Sequence, residues 1–136
     1  MSNFISDREK QRRKLVADGT RKMIMDNLSI ENADEDSLTM TFSGLYLQIT
    51  FAPLHPLMVI HLARSLEKSD SPKRNQTINE LNLKSVFGSH SINDQVGCYF
   101  FRCTQWLDSV MSSRRFFELL ERCTEEAVRG YSNLDS

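Results

Sequence analysis

Polar and apolar positions along the chain switch between helical and strand-like spacing, and the switches mark out eight elements. Ser6, Asp7, Arg8 and Glu9 read as a capping box, with Ser6 as N-cap and Glu9 reaching back to it. A helix follows to about Asn27, with Leu15, Val16, Met23, Ile24 and Leu28 as its buried stripe and Gly19 weakening its middle. Its first half is dense in charge and is predicted to stand in water. Residues 32–37 are acidic and turn-like. From Leu38 to Phe42 the period becomes two, as in a half-buried strand. Ser43 and Gly44 make a tight turn. Leu45, Leu47, Ile49 and Phe51 then share one face, and Tyr46, Gln48 and Thr50 the other, so the two strands form a hairpin. Pro53 and Pro56 bracket a break. Residues 57–66 give a third strand, with Leu57, Val59 and Ala63 on one side and Met58, Ile60 and Leu62 on the other. Both sides are apolar, so this strand is covered twice or offers one face to a partner.

Residues 67–74 form a polar loop, in which Pro72 is placed to open a short helix after Ser71 that runs through Ile78 and Leu81. Residues 86–92 and 98–104 are two more strands. The loop between them, residues 93–97, ends on Gly97, which is free to take positive φ. The last helix starts near Ser112 or Ser113 as N-cap. Phe116, Leu120, Cys123 and Ala127 fall on one face, flanked by Phe117, Leu119, Val128 and Tyr131. Gly130 is placed to end it, and residues 132–136 are expected to fray. The order α-β-β-β-α-β-β-α with short turns predicts an α+β fold: a five-stranded antiparallel sheet with helices packed on it.

Composition narrows the function more by exclusion than by indication. A length of 136 residues suits one domain, residues 1–136, around one core. The net charge of −1 offers no global field for nucleic acid or an anionic membrane. A basic run, Arg8, Lys10, Arg12, Arg13 and Lys14, is diluted by Asp7, Glu9 and Asp18, and no aromatic residues interleave for base stacking. It reads as a solvated helix face rather than a nucleic-acid site. Residues 1–14 lack the apolar core of a signal peptide, and no run approaches the ~18 apolar residues of a membrane span. Three cysteines make no disulfide framework and fit reduced thiols in the cytoplasm.

Catalytic and ligand-binding patterns find little to hold. The chain has no CxxC or HxxxH spacing for a metal, no GxSxG elbow, and no glycine-rich phosphate loop. No cofactor is expected, and the chain reads as a non-enzyme. Cys98 and Cys103 are five apart on one strand and so face opposite ways; either, meeting His90 across the hairpin, would be the starting point of a thiol enzyme. Phe116, Leu120 and Phe100 would line a small-molecule pocket between the sheet and the last helix. Phe87, Tyr99 and Phe101 lie opposite Phe100 by alternation; either they are core, with Phe100 the outlier, or they form an exposed face on which something docks.

Asn79, Glu80, Leu81 and Asn82, then Gly88, Ile92, Asp94, Gly97, Tyr99 and Arg102, and a helix ending in Glu125, Glu126, Ala127, Val128, Arg129, Gly130 and Tyr131 resemble the YbjN-like family of bacterial sensory transduction regulators. That family is similar in fold to class I type III secretion chaperones, which share the same element order. The resemblance implies a non-enzymatic bacterial protein that binds other proteins, commonly as a homodimer. The expected binding surface is an apolar face or edge of the sheet, with Met58, Ile60, Leu62, Phe87, Tyr99 and Phe101 as partner-binding residues. The dimer is expected through apolar surface; if it does not use that face, the second helix or the loop at residues 65–73 is next.

Overall fold

A computed structural model describes residues 5–67 and 72–135 of the chain. Helix α1 (Asp7–Asn27) begins where the capping signal placed it: the Ser6 hydroxyl accepts the Glu9 N–H at 3.1 Å. The Glu9 carboxylate does not complete the box. It pairs instead with Arg12 and Arg13, and those two cations hold its carboxyl down at about 2. The same two arginines reach out of the helix. Arg12 donates to the Asp108 carbonyl and Arg13 to the Leu54 carbonyl, each at 2.8 Å, so the charged half of α1 is clipped to two loops. The buried stripe is Val16, Ala17, Thr20 and Ile24, while Leu15 is exposed. Gly19 is where Val110 packs onto the helix; a Cβ there would come 2.6 Å from a Val110 methyl.

Six strands follow among the described residues, one more than the pattern predicts: β1 (Asn32–Ala33), β2 (Ser37–Phe42), β3 (Leu45–Ala52), β4 (Leu57–Ser65), β5 (Ser89–Asn93) and β6 (Cys98–Trp106). The extra strand lies in the segment that reads as a turn. Both β1 side chains are exposed, so only backbone pairing with β2 defines it and no hydrophobic period announces it. The sheet order is β1-β2-β3-β4-β6-β5, antiparallel throughout. Ser43 (φ 51°) and Gly44 (φ 76°) turn the β2–β3 hairpin, and Gly97 (φ 64°) closes the β5–β6 loop. Strand β5 starts three residues later than expected, because the Ser85 hydroxyl bonds to Gly88 and folds residues 85–88 into a loop.

Helix α2 (Pro72–Lys84) opens on the expected proline; Ser71 lies outside the described residues. Helix α3 (Ser113–Asp135) is capped by Ser112, whose hydroxyl accepts the Arg115 N–H at 3.2 Å. Phe116, Leu120, Cys123 and Ala127 are fully buried, as their spacing predicts. Gly130 does not end this helix. It is buried against His90 and Tyr99, and the helix continues past it to bury Leu134, so the tail is not frayed at residues 132–134.

Val16, Ala17 and Ile24 of α1 and the apolar stripe of α3 share one contiguous core with the inward residues of β2, β3, β4 and β6. Helix α2 packs against α3 and the β5 edge. Among the described residues, helices therefore cover one face of the sheet only.

Candidate functional site

Strand register decides which residues can meet a partner. The covered face carries Leu38, Ile49, Ile60 and Cys103 in one cross-strand row, and Met40, Leu47, Leu62, Phe101 and His90 in the next. Five of the six residues expected to bind a partner lie on it. Met58, Ile60, Leu62, Tyr99 and Phe101 are each 0% exposed. They are the centre of the core, and a partner could reach them only by prising off a helix. Only Phe87 remains partly exposed, in the loop before β5. The strand phases were legible in the sequence; which phase the helices cover was not, because β4 is apolar on both sides.

The other phase makes the uncovered face. One row runs Thr41, Tyr46, Ala63, Phe100 and Ser91. The next runs Thr39, Gln48, His61, Arg102 and Ser89. Below these lie Ser37, Thr50, Val59 and Thr104, and then Ala52, Leu57 and Trp106. Among the large apolar side chains of this face Tyr46 and Trp106 are the most open, at 57% and 56% exposure. The indole is held in place, since its Nε1 donates to the Asp108 carboxylate at 2.7 Å. Phe100 is the outlier that alternation predicts, on the face opposite Tyr99 and Phe101.

This face has an uneven charge. Among the described residues no strand residue on it is a carboxylate. Arg102 is exposed and makes no ion pair or side-chain hydrogen bond among the described residues. Its cross-strand neighbour His61 is pushed below the usual imidazole range, first by burial and then by the Arg102 charge. The Nδ1 of His61 is buried without a partner.

The remaining candidates come apart. Cys98 falls on the uncovered side and Cys103 on the covered side, as their spacing requires. His90 meets neither. Its Nδ1 sits 2.6 Å from the Tyr99 hydroxyl and its Nε2 3.7 Å from Glu126. Burial lowers the His90 pKa more than Glu126 raises it, and burial drives the Tyr99 phenol well above its ordinary value. Cys103 instead accepts from the Cys123 thiol and from Gln105 Nε2 at 3.6 Å, which lowers its pKa, while Cys123 is held protonated. Both sulfurs are enclosed in the core. The pocket expected from Phe116, Leu120 and Phe100 does not form, because the first two pack solidly and the third points to the opposite side. An open groove of about 650 Å³ lies beside α3 instead, walled by Phe42, Phe117, Thr124 and Val128. Among the described residues no cluster of three or more His, Cys, Asp or Glu could hold a metal ion, and no helix is long and apolar enough to cross a membrane.

No family profile and no curated protein sequence matches this chain. Solved structures do. One is the HopA1–SchA chaperone–effector complex, with 12% identity over 96% of this chain and 98% of the matched chain, at a TM-score of 0.56. Another is the Yersinia pestis type III secretion chaperone SycH, in complex with a stable fragment of YscM2. It shows 10% identity over 84% and 98%, at a TM-score of 0.58. A third is the Pseudomonas aeruginosa ExoT–SpcS complex, with 17% identity over 85% and 95%, at a TM-score of 0.56. The chain has the fold of these type III secretion chaperones.

Proposed function

We propose that this chain is a non-enzymatic bacterial domain that holds a segment of another protein on the uncovered face of its sheet, as a chaperone or a regulator. The observation that carries this reading is the one-sided packing. Helices α1 and α3 cover one face, and the other keeps Tyr46, Phe100, Leu57 and Trp106 in or near solvent. Apolar surface of this kind gains free energy when a partner covers it. The structures with the same fold include chaperones solved with their partner proteins. Three unbridged cysteines are in keeping with work in the reducing cytoplasm. The resemblance to YbjN-like regulators and the likeness to secretion chaperones call for the same binding physics and differ in what is bound.

A photo-cross-linking amino acid at Tyr46 or Trp106, with Leu15 on α1 as control, tests the reading in living cells. The expected result is covalent capture of one protein from the two sheet positions and none from Leu15. Equal trapping at all three sites, or none at any, overturns it.

The same reading includes a homodimer, with its interface moved from the sheet to the α2–β5 connection. Leu83 and Val86 there are 86% and 99% exposed, and Phe87 stands beside them. A two-fold contact would bury each patch against its own copy. Light scattering should return twice 15.7 kDa for the parent chain and 15.7 kDa for a folded Val86→Asp variant. A parent mass of 15.7 kDa removes the dimer and leaves the partner-binding reading standing.

A further inference from the structure

We infer that the segment held on the uncovered face is an extended one bearing a carboxylate, which seats on Arg102 and His61 between two apolar side chains. The inference rests on the partner-holding role proposed above and adds the chemistry of what is held. Its basis is the juxtaposition of one guanidinium without a partner among the described residues, one imidazole whose Nδ1 is buried without a partner, and two flanking apolar rows on a face whose described strands carry no carboxylate.

Arg102 cannot lose its charge, and its planar fork matches a carboxylate. Among the described residues nothing within the face neutralises it. The one acid just beyond β6, Asp108, is taken by the Trp106 indole. His61 beside it is held neutral by burial and by Arg102, and a neutral imidazole still has one N–H to donate. A second copy laid face to face fits badly, because two-fold symmetry would set one Arg102 row against the other with no acid between them. An acidic segment is complementary where a second copy is repulsive.

The spacing of the rows sets a pattern for the ligand. Successive rows on one face are two residues apart along a strand, which is about 7 Å. The Tyr46 and Phe100 row is one step from Arg102, and the Leu57 and Trp106 row is two steps away on the other side. An extended chain running along β6 would therefore place an apolar residue two positions from the acid on one side and four positions from it on the other. Five strands about 4.8 Å apart leave the face roughly 20 Å across, enough for a segment but narrow for a folded domain.

The test is selection of random 12-residue peptides displayed on phage against the intact protein, followed by affinity measurement with synthetic copies. Selected peptides are expected to carry Asp or Glu at the stated spacing from apolar residues. Arg102→Gln should weaken them about tenfold, a single charge-assisted pair. Changing the peptide's acid to its amide should do the same, and the two changes together should cost no more than either alone. Arg115→Gln on α3 should leave affinity within about twofold. If peptides are lost on Tyr46→Ser with Trp106→Ser but ignore Arg102→Gln, the acidic pattern is wrong and the binding face stands. If peptides ignore all these changes, or none is selected, both this inference and the function it rests on fail.

Discussion

Gly130 sits at a tightly packed point of the molecule. A Cβ at that position would come 2.5 Å from the Tyr99 hydroxyl and 2.6 Å from His90 Nδ1. Alanine is a better helix former than glycine by about 1 kcal/mol, yet these contacts involve packed core groups that cannot swing aside. Gly130→Ala is therefore expected to destabilise the fold by about 1–3 kcal/mol, an overpacking cost read from denaturant unfolding. An unchanged or higher midpoint would show that His90 and Tyr99 have room to move. The imidazoles also set a pH dependence. His61 and His90 both have folded pKa values below their ordinary 6.5, chiefly through burial. The unfolded chain then binds more protons, so their contribution is full above about pH 6.5 and is lost as pH falls below it. Stability should decline between pH 7 and pH 5, and His61→Gln with His90→Gln should flatten that slope. A slope unchanged by the double substitution would place its origin elsewhere.

Edge strand β5 owes its protection to the element beside it. The Asn82 carboxamide on α2 accepts the His90 N–H at 2.7 Å and donates to the His90 carbonyl at 2.9 Å. One side chain thus imitates the next strand of the sheet, and Ser85 does the same at Gly88. Plugging an edge in this way discourages pairing with stray chains. On the far edge, the Glu31 carboxylate accepts the Thr41 N–H at 2.6 Å beyond the short reach of β1. Asn82→Ala is predicted to cost about 1 kcal/mol and to speed amide exchange at His90 while leaving exchange in β3 and β4 unchanged. Uniform acceleration across the sheet would mean that the edge opens only with global unfolding.

At the scale of the whole molecule, one sheet separates a core from a binding surface, and adjacent residues on β3 test the division. Leu47 is fully buried and Tyr46 is 57% exposed. Leu47→Asp places a charge under the helices and should abolish cooperative unfolding, since its cost of several kcal/mol rivals the total stability. Tyr46→Asp should leave the thermal midpoint within a few degrees. If both unfold the protein, the outer face is covered by something the isolated chain supplies. If only Tyr46→Asp does, the register of β3 is shifted by one residue.

Local signals were legible wherever short-range chemistry or period alone decides. Ser6 and Ser112 cap their helices, Ser43 and Gly44 turn a hairpin, and the α3 stripe is buried because 3.6-residue spacing puts those side chains together. The order of elements followed from the same signals, and with it the α+β fold. Strand β1 escaped because backbone pairing leaves no hydrophobic trace, and Gly130 misled because a glycine needed for close approach is written like one that ends a helix. The binding face was beyond the sequence for a different reason. In β4, Val59 and Ile60 are equally apolar, and alternation states only that they point apart. Which of them is core depends on the side to which α1 and α3 return, a long-range choice that buries Ile60 and leaves His61, Arg102 and Trp106 facing outward.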